Sequence, residues 1–89
     1  MTQFRLSQNY PNPFNPATNI SFEISEATSL ELAVYDLLGK KVSTLASGMH
    51  AVGSHTVQWD ASGFPAGIYF YKLVAEDGIT ETKKLVLLK

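Results

Sequence analysis

The 89-residue chain has no cysteine. That excludes a disulfide scaffold, a thiolate zinc site and a cysteine nucleophile. A small domain without such staples must hold together by packing and hydrogen bonds alone. Charge of one sign is lacking too: seven Lys and Arg against eight Asp and Glu leave a formal net charge of −1. Nucleic acid as the main partner is therefore disfavoured, because it demands a basic face. Apolar runs are short. Leu85–Leu88 stops at four residues, against the roughly 18–20 that a bilayer-spanning helix needs, so no membrane span is expected. No helical period persists over about 11 residues, and there is no internal repeat. Met1 runs into Thr2-Gln3-Phe4-Arg5 without a basic stretch or apolar core, so no signal peptide is expected there. Met1 reads as a start codon added to an excised domain.

What remains is a globular composition, 45% hydrophobic and 17% charged, with room for one domain. A chain of this size buries only about 60–65% of its unfolded surface, so the core must be compact. Tyr10-Pro11-Asn12-Pro13-Phe14-Asn15-Pro16 holds three of the four prolines. Each fixes φ and removes a donor, so no helix or central strand runs through it. Residues 1–17 are expected to be an irregular, extended lead-in packed on the domain, pinned by Tyr10 and Phe14. From residue 18 the period becomes two, and 18–89 reads as the body.

Ile20, Phe22 and Ile24 form the first inward row, and Leu30, Leu32 and Val34 the second, with Glu26-Ala27-Thr28 as the turn between them. Asp36–Lys40 is a tight hairpin, with Gly39 supplying positive φ. Lys41–Leu45 makes a third strand, Ala46–Gly53 a loop, and His55, Val57 and Trp59 share one face of a fourth. Ile68–Glu76 is so apolar that both faces should be buried in a central strand. Asp77-Gly78 reads as a two-residue hairpin turn leading into the last strand, Ile79–Leu88. Short strands with Gly, Asp and Pro turns predict an all-β, immunoglobulin-like antiparallel β-sandwich of about seven strands.

Motifs for chemistry are weak. Ser54, His55 and Asp60 can be assembled into a triad on paper, but there is no Gly-x-Ser-x-Gly elbow, so no catalytic residue is expected. His50 and His55 lack the i, i+4 or i, i+2 spacing of a metal pair. No calcium-loop pattern exists, leaving at most a single ion on loop carboxylates such as Asp60 or Asp77. Gly63 and Gly67 lack the lysine and helix of a phosphate loop, so no cofactor is expected. Asn19-Ile20-Ser21 matches a glycosylation sequon, but inside a predicted strand. Trp59, Tyr69 and Tyr71 read as core, the rival being an exposed row that stacks on sugars. Thr82-Lys83-Lys84-Leu85-Val86-Leu87-Leu88-Lys89 reads as a closing strand or as a terminal strand open to edge pairing.

These segments carry a resemblance. Leu6–Phe22, with Tyr10, Pro11, Asn12 and Pro13 at its centre, resembles the opening of the type A C-terminal sorting domain of the type IX secretion system. Val34–Val42 around Gly39 is similar to its second feature. Pro65-Ala66-Gly67-Ile68-Tyr69-Phe70-Tyr71 is similar to its third, and Lys83–Lys89 to its terminal motif. The Asn-Pro-Phe-Asn-Pro opening also resembles the Ig-like domain of flagellar hook-capping proteins, which implies a structural module.

The main resemblance implies a non-catalytic module that directs a larger parent protein through the periplasm to the cell surface or medium. Outer-membrane type IX translocon or shuttle components would read it, and a sortase-like peptidase removes the domain in many members. The isolated domain is expected to be monomeric. Lys83, Lys84, Leu85, Val86, Leu87, Leu88 and Lys89 are expected to contact the partner, with the lysines guarding the strand edge. Gly67 is expected to free the backbone at the strand entry, and Pro65 to stiffen the approach. Substituting Gly67 with valine should destabilise the fold, whereas deleting the last few residues should spare much of it and abolish export. The alternatives are a carbohydrate-binding or adhesive module of an extracellular protein, with Tyr69 and Tyr71 as sugar contacts, or a passive spacer.

Overall fold

A computed structural model describes residues 3–88. Its strands are β1 (Phe4–Leu6), β2 (Ala17–Ile24), β3 (Thr28–Tyr35), β4 (Lys41–His50), β5 (Gly53–Asp60), β6 (Gly67–Ala75) and β7 (Thr80–Leu87). They form two antiparallel sheets, one ordered β1-β2-β5 and the other β4-β3-β6-β7. This is the immunoglobulin-like sandwich that the alternation predicts.

The inward rows meet between the sheets. Thr18, Ile20, Phe22 and Ile24 of β2 are buried while Asn19 and Glu23 face solvent. Cross-strand pairing sets Thr18 opposite Trp59 and Ile20 opposite Val57. In the other sheet Leu32 lies opposite Leu73, and Val34 opposite Tyr71. Tyr71, Phe14, Phe22, Ile20, Leu32, Leu73, Leu85 and Leu87 are the large, fully buried side chains. Burying one such side chain is worth about 1.5–3 kcal/mol, so this shared layer is what holds the two sheets together.

Four local expectations change. β4 runs on to His50 instead of ending at Leu45, and the expected loop shrinks to Ala51-Val52. An edge strand needs only backbone donors and acceptors toward its neighbour. Ser47, Gly48 and Met49 supply them opposite Glu31, Leu30 and Ser29. β6 is interior to its sheet, as expected, but only Tyr69, Tyr71, Leu73 and Ala75 are buried, while Phe70, Lys72 and Val74 are half-buried and Ile68 is exposed. A two-layer sandwich leaves the outer face of each sheet to solvent.

The Asp77-Gly78 turn is a three-residue loop. Ala75 donates its N–H to Ile79 O, Gly78 donates to Ala75 O, and Gly78 sits at φ 91°. Asp36–Lys40 repeats that geometry with Gly39 at φ 84°. A glycine in the left-handed region closes such a loop, which is why both turns end on one. Finally, the first sixteen residues are not all irregular: Phe4–Leu6 pairs with β2, Leu6 opposite Phe22.

Candidate functional site

The last strand was expected to offer a free edge, and the fold closes most of it. One side of β7 pairs with β6, Tyr69 opposite Leu85 and Gly67 opposite Leu87. The other side is covered by the lead-in. Asn12 Oδ1 accepts the Val86 N–H at 3.0 Å. Phe14 N–H donates to Val86 O at 3.0 Å, and Leu88 N–H donates to Phe14 O at 2.8 Å. Gln8 Nε2 donates to Lys84 O at 2.7 Å. Prolines cannot donate, so two side-chain amides, those of Asn12 and Gln8, and the backbone of Phe14 between prolines supply the contacts. From Lys84 to Leu88 the edge is therefore sealed, and only the Thr80–Thr82 stretch lies beyond the lead-in contacts.

Buried polar groups lock the lead-in. Asn9 is 2% exposed; its Nδ2 donates to Thr18 Oγ1 at 3.0 Å and to Pro11 O at 3.1 Å. Thr18 Oγ1 in turn donates to Pro11 O at 2.8 Å. Tyr71 Oη donates to Ser7 O at 2.6 Å. Burial pushes the Tyr71 phenol up to about 12, a hydrogen bond from the Asn9 backbone opposing the shift and Glu81 adding to it. Phe14 pins the segment as expected, 2% exposed and 5.7 Å from the Trp59 ring. Tyr10 does not: its ring is 80% exposed, and only its backbone pairs, with Asn19. Asn9 takes the inward place that the aromatic ring was expected to fill.

The tail splits by alternation. Leu85 and Leu87 are core residues, at 0% and 1% exposure, so they cannot meet a partner in the folded domain. Lys84 and Leu88 are exposed and Val86 is half-buried. Lys83 is half-buried beside Glu81, with Nζ 3.9 Å from Oε1. Lys89 lies outside the described residues. Deleting the last residues would remove core side chains, so the expectation that such a truncation spares much of the fold is corrected.

The Pro65–Tyr71 segment is knitted into this end of the sandwich. Gly67 sits at φ 146°, in a region that favours glycine. Tyr69 Oη donates to Pro65 O at 2.6 Å, and burial, with Asp36 adding, raises its phenol. Trp59 packs 5.4 Å from both Phe64 and Tyr69. Trp59, Tyr69 and Tyr71 are all 5% exposed or less, so they form no sugar-stacking row. They occupy inward strand positions, and the core claims their faces.

The other candidates disperse. Asp60 Oδ1 accepts the Ser62 N–H at 3.0 Å, while His55 Nε2 meets Ala51 O at 2.7 Å, so Ser54, His55 and Asp60 make no relay. The short Ala51-Val52 turn brings the His50 and His55 rings to 5.1 Å, a proximity that their spacing concealed. Among the described residues no three His, Asp or Glu side chains gather closely enough for a metal ion. Sequence reasoning missed Asn9 and Gln8. It also passed over Leu37 and Leu38, 66% and 93% exposed at the β3–β4 tip.

The fold and this geometry define an immunoglobulin-like β-sandwich with a sealed last strand. Residues 8–88 match the family described as secretion system C-terminal sorting domain. The chain belongs to that family. It is the sorting module, handled by type IX secretion, at the tail of a larger protein exported to the surface or medium. No curated protein matches it. Its fold is similar to part of dimeric latent PorU from Porphyromonas gingivalis, with TM-score 0.77 and 16% identity over 99% of this chain and 9% of that one. A β-glucosidase from Listeria innocua gives TM-score 0.68 and 10% identity over 98% of this chain and 16% of the enzyme. The CARDB domain of PF1109 from Pyrococcus furiosus gives TM-score 0.55 and 11% identity, over 98% of this chain and 94% of that one. These likenesses show the fold alone, and the chain spans under a fifth of the first two proteins.

Proposed function

We propose that the domain works without catalysis, as an address read by outer-membrane type IX components after the parent protein has reached the periplasm. Within Lys83–Lys89 the reading falls on the solvent side, Lys84, Val86 and Leu88. The single observation that carries this is the alternation of β7: Leu85 and Leu87 hold the sandwich together while their neighbours face outward. A sortase-like peptidase would act afterwards, upstream of the folded domain. A glycan platform is disfavoured because the ring faces it would need are buried.

The test fuses residues 1–89 behind a signal-peptide-bearing fluorescent reporter, in a bacterium with a working type IX system. The intact domain should carry fluorescence to the surface or medium. Lys84→Glu with Val86→Lys should leave a folded domain and keep the reporter in the periplasm. Periplasmic retention of the folded intact fusion would overturn the reading.

A further inference from the structure

The β3–β4 turn does not need its two leucines. Asp36 Oδ1 accepts the N–H groups of Leu38 and Lys40, both at 2.9 Å, and Gly39 takes the left-handed conformation, so the loop is closed without either leucine side chain. Yet Leu37 is 66% and Leu38 93% exposed, an apolar pair held out in water at a site where any polar residue would serve.

Both leucines border a shallow groove of about 210 Å³ whose other wall is Ala66–Tyr69. Leu37 also borders a neighbouring groove of about 320 Å³ with Phe70, Lys72 and Thr82. Ile68, 37% exposed, pairs across the sheet with Val86, and Leu88 follows at 49% exposed. One apolar strip thus crosses the outer face from the β3–β4 tip over β6 to β7. It joins two segments about 50 residues apart in sequence, which only the β3–β6–β7 pairing brings together.

The rim is basic. Lys84 stands opposite Phe70, Lys72 lies over the Tyr35 ring with Nζ 4.8 Å from its centre, and Lys40 follows the tip. Asp36 turns a carboxylate oxygen to its own turn. A second copy of the chain would set these lysines against each other, which charge complementarity disfavours. Grooves on either side of Leu37 suit side chains inserted from a protein, whereas a lipid surface would need only the projecting leucines.

We propose that this strip is a docking surface for a protein segment carrying aliphatic side chains flanked by carboxylates, with Leu37 and Leu38 as its anchors. The proposal rests on the sorting reading above and extends its site from the tail to the β3–β4 tip.

The export fusion tests it. Leu37→Ser with Leu38→Ser should fold, with a melting temperature near that of the parent domain, and lower export about ten-fold or more, as loss of anchor residues does. Lys84→Glu should do the same and Lys84→Arg should not. Met49→Ser with Val52→Ser, also strongly exposed but at the far β4–β5 end, should export normally. A photo-crosslinker in place of Leu38 should join the fusion to one discrete protein, and Lys84→Glu should abolish that product. Normal export of the double serine variant, with the intact fusion also exported, overturns this inference and leaves the sorting reading standing. Retention of the intact fusion overturns both. A crosslink only to a second copy, or Leu38-dependent binding to phosphatidylglycerol vesicles without a protein crosslink, replaces the proposed partner and overturns the inference.

Discussion

Asn12 and Val86 are 74 residues apart in sequence, and the side-chain oxygen of one accepts the backbone N–H of the other at 3.0 Å. With the Phe14 contacts beside it, this bond turns β7 from an edge strand into an interior one along its apolar half. An open edge there would invite pairing with other chains. The lead-in is therefore the cover that lets an apolar closing strand be carried safely.

That cover can be lifted selectively. Asn12→Ala should cost about 1 kcal/mol, the usual net worth of one hydrogen bond. It should speed amide exchange at Val86 and Leu88 more than at Leu85 and Leu87, whose N–H groups face β6. Asn12→Asp keeps the acceptor and should change little. Hydrogen-exchange NMR on the three proteins separates these outcomes.

Gly67 tests backbone strain free of packing. A Cβ there would meet nothing within 4 Å, but φ is 146°. Gly67→Val and Gly67→Ala should therefore both cost about 1–3 kcal/mol through conformation alone. Gly63 has equal space without positive φ, so Gly63→Ala should be near neutral. Urea midpoints for the three variants give the comparison.

The tail should behave as two interleaved sets. Leu85→Ala, at a fully buried site, should cost about 2–5 kcal/mol. Lys84→Ala, one residue away and exposed, should stay within about 0.5 kcal/mol. Stopping the chain after Lys83 removes Leu85 and Leu87 together and should abolish cooperative thermal unfolding by circular dichroism.

Alkaline pH should loosen the same corner. The Tyr71 phenol is pushed up to about 12 in the folded state, against 10.0 for the ordinary group. The fold thus favours the protonated form. This contribution is complete below about pH 10 and is lost as pH rises to about 12, at up to about 1.4 kcal/mol per unit. Tyr71→Phe should flatten that dependence while losing the hydrogen bond to Ser7 at every pH. Denaturation midpoints between pH 8 and about 12 check it.

Much of this was legible in the chain itself, because strand faces and turns are local properties. The alternation of Ile20, Phe22 and Ile24, and of Leu30, Leu32 and Val34, needs no partner to say which side is inward. Asp36 and Gly39 close their turn with atoms a few residues away. The resemblance to a sorting domain rested on such short segments and held over residues 8–88. Tertiary structure decided the rest, wherever a group's partner lies far along the chain. Asn9 has local partners in Gln8 and Pro11, but its buried place, which the Tyr10 ring does not take, also depends on Thr18, nine residues along the chain. Nothing near Leu85 says that its strand's free edge is taken, since Gln8, Asn12 and Phe14 take it from the opposite end of the sequence. Backbone donors and acceptors are alike in every strand. Which of them meet is set by the strand order and by how the two sheets close over one core, and the β3–β6–β7 order is what brings Leu37, Ile68 and Val86 onto one outer face.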